Sequence, residues 1–355
     1  MIKKLLLGAL LLILALVGFA VFAILIPAGT FKTIEPHFDG TTEIIPIEIP
    51  GPEDIEIDRK EGLVFISVDD RRSNRDNPGS VEGGILRYTI DEGVTSLKNI
   101  TPPNIKDFHP HGISLFRSND STLYLFAISH QTSGNQVVEK FEWKNDTLIH
   151  IESIQDKNMM TSPNDLVAVG ERSFYVTNDH FYRSGIARVF EEYLQQPISF
   201  VNYFDGKSFH TVATAIGYAN GINQSPDGKY ILVAASSGRA LYIYEAAEDG
   251  NLKEVDKIDL GTGPDNIDFD QEGNILLACH PQLLKFVAHS KDSKNYSPSQ
   301  VLKIKFNGPQ DFTIEEIFLT DGTNYSGSSI AVEYGNTMII GSVFEPTLLH
   351  CTLNK

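Results

Sequence analysis

A short phrase recurs six times along the chain, each copy an apolar run led by polar residues. The copies are Glu53-Asp54-Ile55-Glu56-Ile57, His111-Gly112-Ile113-Ser114-Leu115, Asn164-Asp165-Leu166-Val167-Ala168, Asn220-Gly221-Ile222-Asn223-Gln224, Asp265-Asn266-Ile267-Asp268-Phe269 and Ser328-Ser329-Ile330-Ala331-Val332. Counted from Asp54, His111, Asn164, Asn220, Asp265 and Ser328, the spacings are 57, 53, 56, 45 and 63 residues. After most copies come a turn and a second apolar run, such as Leu63-Val64-Phe65-Ile66 or Tyr230-Ile231-Leu232-Val233. Two short β-rich runs per period of about fifty residues predict propeller blades, each a small antiparallel sheet packed on its neighbours. The expected fold is all-β, a six-bladed β-propeller over residues 45–355, in which the six polar openings meet at one end of a central channel.

The N-terminus differs in kind. Lys3 and Lys4 precede 22 residues, Leu5 to Ile26, without a polar side chain, and Pro27 and Gly29 end the run. That length suits a membrane-spanning helix of about 20 residues, and the basic pair places its start in the cytoplasm. Residues 1–27 are therefore expected to be a signal anchor and 28–44 a linker. The folded domain is expected to be extracytoplasmic and membrane-anchored, with cleavage near Ala20–Ala28 and release as the competing reading. The net charge of −17 opposes nucleic acid and anionic membrane surfaces as partners and favours cations. With only Cys279 and Cys351, no disulfide framework is needed.

Asn or Asp opening a single strand would reflect turn preference; four such openings in register imply more. Glu53, Asn164, Asn220, Asp265 and Asn266 would offer five side-chain oxygens from four blades, two of them from carboxylates. An all-oxygen set of this kind suits calcium and not zinc. Neighbours in a strand point opposite ways, so Asp54 and Asp165, with the Ile113 carbonyl, would hold a second, structural calcium beneath the first. His111 and His130 are expected near the channel mouth, where an imidazole can take a proton from water. Asp179, His180 and His280 end strands at the same mouth; His109, His210 and His289 receive no role. Neither a Gly-x-Ser-x-Gly elbow nor a phosphate loop is present.

The stretches Gly51-Pro52-Glu53-Asp54, Pro110-His111-Gly112-Ile113-Ser114, Pro163-Asn164-Asp165-Leu166-Val167-Ala168, Asn178-Asp179-His180, Ala219-Asn220-Gly221-Ile222-Asn223-Gln224-Ser225-Pro226-Asp227-Gly228, Asp265-Asn266-Ile267 and Cys279-His280-Pro281 resemble, in order, the serum paraoxonase/arylesterase family. The resemblance implies a six-bladed propeller with two calcium ions and an uncleaved leader. Glu53, Asn164, Asn220, Asp265 and Asn266 would hold the catalytic ion, Asp54, Asp165 and Ile113 the structural one, with His111 and His130 as the catalytic histidine pair. The implied activity is hydrolysis of lactones and aryl esters, with calcium polarising the carbonyl and a histidine-activated water attacking it. Two departures stand out. The family ties its N-terminal segment to its last blade by a disulfide; Cys351 matches one half, but no Cys lies between residues 30 and 50. The segment Asp69–Asp76, over the site, is unusually charged.

Two other readings remain open: a sugar-acid lactonase of the gluconolactonase group, and a non-catalytic binding propeller. Finally, Ile186, Val189, Phe190, Tyr193 and Leu194 recur at helical spacing. They predict a short amphipathic helix within 181–194 over the channel mouth, its stripe either capping the core or lying on lipid.

Overall fold

The computed structural model describes residues 2–93 and 96–354. Six antiparallel sheets form a closed ring, and their innermost strands carry the six copies of the repeated phrase: Pro52–Asp58, Pro110–Arg117, Pro163–Ala168, Ala219–Gln224, Gly263–Phe269 and Ser328–Tyr334. We number blades one to six by these strands, each of which touches the inner strands on both sides.

The second strand of each blade is apolar on both faces because it is covered by two neighbours. In Leu63–Val68 of blade one, Val64, Ile66 and Val68 enter a cluster with Ile330, Val332 and Ile339 of blade six. Leu63 and Phe65 instead join Leu123, Leu125 and Phe141 of blade two. The period-two alternation of a strand thus feeds two different seams. Four further clusters fill the remaining seams, so the core is a ring of six blade-to-blade interfaces around a polar channel.

The ring closes without a disulfide. Strand Gly40–Pro46 pairs with Thr347–Leu353 as the outer strand of blade six, and Ile45 and Ile47 enter the seam between blades six and one. His37–Phe38 adds a fifth strand to the edge of blade five. The expected linker 28–44 is therefore largely structural: a ring of blades needs an outer strand where its ends meet, and the N-terminal segment supplies it. Cys279 and Cys351 are both buried and free.

Helix Ile2–Ala20 runs on through a wider π-helical turn, Val21–Leu25; an 18-residue stretch of the two has a mean hydropathy of 3.0, and neither has a buried residue. This helix is long and apolar enough to cross a membrane. Beyond it the chain docks at once on the propeller. The Ala28 carbonyl accepts the Leu283 N–H at 2.9 Å, and Lys32 reaches the Gly261 carbonyl with its Nζ at 2.6 Å. Gly29 is needed here: at φ +68°, a Cβ would sit 2.1 Å from the Pro281 carbonyl oxygen.

Candidate active site

All six inner strands shift register where their polar residues fall, between Pro52 and Asp54, Pro110 and Ile113, Pro163 and Leu166, Ala219 and Ile222, Pro264 and Ile267, and Ser328 and Ala331. A bulge bends the strand and re-aims its side chains. Consecutive polar residues such as Glu53 and Asp54 can then both stay buried around the channel, instead of one facing a blade seam as strict alternation would require. The strands also crowd at this level: a Cβ on Gly112 would lie 2.3 Å from Asp165 Oδ1.

Above the bulges opens a cavity of about 490 Å³, with Glu53, His111, Asn164, Asn220 and Asp265 among its lining residues and Leu283, Phe286, Val343 and Phe344 on its apolar wall. The amides at its foot share one arrangement. Asn164 Nδ2 donates to Asp179 at 3.2 Å, Asn266 Nδ2 to Glu53 Oε1 at 2.9 Å, and Asn220 Nδ2 to Asp265 and to Ser236 Oγ. Because a carboxylate can only accept, these bonds fix which amide atom is nitrogen. The oxygens Asn164 Oδ1, Asn220 Oδ1 and Asn266 Oδ1, together with Glu53 Oε2, are left buried without a hydrogen-bond partner.

One unmet buried polar atom costs about 1–3 kcal/mol. Four unmet oxygens from four blades are what a hard cation would satisfy, so the donor set fits an oxygen-ligated ion. Among the described residues no three His, Cys, Asp or Glu side chains form a metal-holding group; the donors here are chiefly amides. The second expected cluster is also buried. Asp54 Oδ2 accepts the Ile113 N–H at 2.7 Å and Asp165 Oδ2 the Ile222 N–H at 2.8 Å, each reaching the next blade. Ile113, expected to offer its carbonyl, meets Asp54 through its N–H. Burial pushes the Glu53, Asp54 and Asp165 carboxyls upward; Arg71 opposes the shift at Glu53, while the Asp54 charge adds to it at Asp165. A positive ion among them would reverse that direction.

His111 and His130 do meet: His111 Nδ1 lies 2.8 Å from His130 Nε2, and His130 Nδ1 contacts Gln136 Oε1. His111 Nε2 faces Glu53 Oε2 at 3.6 Å. Burial lowers the pKa of both rings, Arg71 lowering both further, whereas Gln136 works against the shift at His130. Two more histidines line the cavity, each held by a carboxylate. His180 Nδ1 is 2.7 Å from Asp179, and His280 Nε2 is 2.9 Å from Asp265, its ring stacked on Phe286 at 3.7 Å. His109 is buried against Asp69 at 2.8 Å and His289 against Arg72 and Glu345, both fastening the charged segment, while His210 sits exposed on the outer strand Phe209–Ile216 of blade three, against Asp205.

That segment forms helix Arg71–Asp76, capped by Asp70. Its Arg71 is a site residue that the repeat pattern did not single out. It lines the cavity 3.8 Å from Glu53, held by the carbonyls of Gly51, Asp69 and Pro110. Tyr218, Ile24 at the end of the apolar helix and Ala28 just beyond it also line the cavity unforeseen. Helix Gly185–Tyr193 stands at the rim, but its apolar stripe does not cap the core. Ile186, Val189, Phe190, Tyr193 and Leu194 are 43 to 73% exposed. The one buried residue of the helix is Glu191, whose carboxylate takes the N–H groups of Phe181 and Tyr182, so a polar contact seats the helix.

The chain is similar to known proteins. A family model described as Arylesterase matches residues 42–353. The human protein named Serum paraoxonase/arylesterase 1 is 32% identical over 91% of this chain and 94% of its own length. The Bos taurus protein named Serum paraoxonase/arylesterase 2 is 34% identical over 85% of this chain and 86% of its own. Among solved structures, a putative gluconolactonase superposes with a TM-score of 0.55 at 17% identity, covering 89% of this chain and 92% of that one, a likeness of fold. With the match spanning nearly the whole propeller, the chain belongs to the arylesterase family.

Proposed function

We propose that the protein is a calcium-dependent hydrolase of carboxylic esters, both lactones and aryl esters, acting at the channel mouth. The observation that carries this reading is the set of four unpartnered buried oxygens at the foot of a cavity lined by His111. Glu53, Asn164, Asn220, Asp265 and Asn266 would hold one calcium; Asp54, Asp165 and the Ile113 carbonyl would hold a second, structural one. Bound at the first set, calcium would supply positive charge to polarise a substrate carbonyl.

The chain's own part is the proton chemistry. Gln136 presents an amide oxygen to His130 Nδ1, so that nitrogen carries a proton and His130 Nε2 accepts. His111 Nδ1 must then donate to His130, which leaves His111 Nε2 as an open lone pair facing the site. Burial keeps the ring neutral, as a base that takes a proton from water must be. The apolar wall of Leu283, Phe286, Val343 and Phe344 excludes water from the rest of the cavity and suits an apolar acyl or aryl group.

The leader is read as a retained anchor, residues 1–27, that places the propeller outside the cytoplasm. Buried Ala28 and its bond to Leu283 support retention, because a cut near residue 28 would fall in docked chain. The exposed stripe of helix Gly185–Tyr193 is read as a second contact with lipid.

The test is to purify the full chain in detergent and follow phenyl acetate and a δ-lactone with calcium, then with chelator. Turnover should be lost with chelator and return with calcium; chelator-insensitive turnover would sink the calcium assignment. A gluconolactone in the same panel addresses the second reading, favoured by the gluconolactonase-like fold: clear preference for it over an aliphatic lactone would make the protein a sugar-acid lactonase.

A further inference from the structure

Asp179 and His180 follow directly on strand Phe174–Asn178, the second strand of blade three, and His180 lines the cavity that His111 enters from blade two. His180 is 1% exposed. Its Nδ1 lies 2.7 Å from Asp179 Oδ1, which also accepts the Ser162 hydroxyl at 2.6 Å, while Asp179 Oδ2 accepts Asn164 Nδ2 at 3.2 Å. A carboxylate offers only acceptors, so Nδ1 carries the proton of this contact and Nε2 is the variable position. That Nε2 is buried without a hydrogen-bond partner on a ring that lines the cavity. Glu192 Oε1 lies 3.2 Å away outside hydrogen-bond geometry; it belongs to the rim helix, is 43% exposed and also receives Arg188. The edge of the ring rests on Tyr218, at 4.9 Å between centroids.

The two histidines are backed differently. The chain from His111 ends in Gln136, a neutral amide that fixes the tautomer without balancing positive charge. His180 is backed by a buried carboxylate that can balance an imidazolium, as in hydrolytic triads where an acid orients a histidine and steadies its charged form. One cavity thus holds a histidine suited to accept a proton and another suited to donate one.

We infer that His180, oriented by Asp179, is a second catalytic residue of the ester hydrolase proposed above and gives its Nε2 proton to the leaving oxygen. Water forms the new bond to the carbonyl carbon as its proton passes to His111 Nε2. The bond from that carbon to the leaving oxygen breaks, and the oxygen takes the proton of imidazolium His180. One water and one ester become one acid and one alcohol, and one water and one lactone become one hydroxy acid. His111 then releases a proton to solvent and His180 takes one back.

A general acid matters most where the leaving group is a poor one. Its loss typically costs about 10²–10⁴-fold. For His180→Gln, kcat on a δ-lactone, which must expel an alkoxide, is expected to fall roughly a hundredfold or more. On 4-nitrophenyl acetate, whose phenolate leaves unaided, the loss should stay within roughly fivefold, and melting should match the parent. An equal loss on both substrates would make His180 a positioning residue only and overturn the inference. The parent protein gives an arm that does not depend on the variant folding. Across substituted phenyl acetates its kcat should vary little with leaving-group basicity, and a steep dependence overturns the inference. If the parent hydrolyses neither substrate class with calcium present, it is the hydrolase reading that fails, and the role of His180 falls with it.

Discussion

Gln136 has no place in the cavity, yet it decides which nitrogen of His111 is open there. Two hydrogen bonds carry that choice from an amide oxygen through His130 to the site. The chemistry at His111 then depends on how far burial lowers its pKa, with Arg71 adding to the shift. The sign is direct: a depressed histidine stays neutral, and so able to accept a proton, below the ordinary value of about 6.5. Activity of the parent should therefore persist below pH 6.5, with the acid limb of kcat/KM beneath that value. A limb at or above 6.5 would contradict a buried neutral His111. His111→Gln should lower kcat by about 10²–10⁴-fold while leaving melting close to the parent. The sequence made His111 legible because it leads one copy of the repeat. Arg71 was hidden because its place depends on how a capped loop helix folds back on Gly51 and Pro110, which no repeat records.

Side chains on the inner strands tie blades one to five in succession. Asp54 reaches the Ile113 N–H, Ser114 Oγ accepts the Ala168 N–H, Asp165 reaches the Ile222 N–H, and Asn223 Nδ2 donates to the Ile267 carbonyl. This separates two residues that are adjacent in role. Asp54→Ala would strand a buried backbone N–H, at about 1–3 kcal/mol, and would remove a carboxylate from the proposed second cation cluster. Asn266→Ala removes an oxygen donor and the Nδ2 bonds to Glu53 Oε1 at 2.9 Å and to the Glu53 carbonyl at 3.3 Å, but it strands no backbone N–H. Melting curves with calcium and with chelator distinguish them. Asp54→Ala should melt well below the parent and lose part of its response to chelator, whereas Asn266→Ala should keep most of its stability and lose turnover. Parent-like melting of Asp54→Ala would mean that the second cluster carries no structural ion. The repeat made both residues readable, because polar residues before each apolar run stand out at a period near fifty. The six bulges did not show in the sequence: two side chains turning toward one channel is a property of strand register, fixed only once the second strand pairs.

At the scale of the molecule, the end of the apolar helix, the rim helix Gly185–Tyr193 and the cavity lie together. The apolar helix ends at Leu25, and three residues later Ala28 is bonded to Leu283 at the cavity wall, so a span across a bilayer would hold this region at the lipid surface. The N-terminal composition made a helix long and apolar enough to cross a membrane legible, and the absence of cysteine near residue 40 foretold closure by pairing and packing. That the same segment would supply the closing strand was not legible, because Gly40–Pro46 has a half-polar pattern that only its partner Thr347–Leu353 completes. The stripe on helix Gly185–Tyr193 was legible as a stripe but not as to what it meets. Its exposure now favours lipid, and Phe190, 53% exposed, is the residue on which to test it. In protein lacking residues 1–23, Ile24 and Ala28 keep their seats while the span is gone, so any lipid binding must come from the propeller face. Burying a phenylalanine stabilises by about 1.5–3 kcal/mol, and each 1.4 kcal/mol is tenfold in affinity. Phe190→Asp should then weaken binding to zwitterionic liposomes by roughly ten- to a hundredfold, with melting and phenyl acetate turnover unchanged. Undiminished liposome binding would leave the stripe without a role at the membrane, and a large fall in melting temperature would show that Phe190 supports the propeller itself.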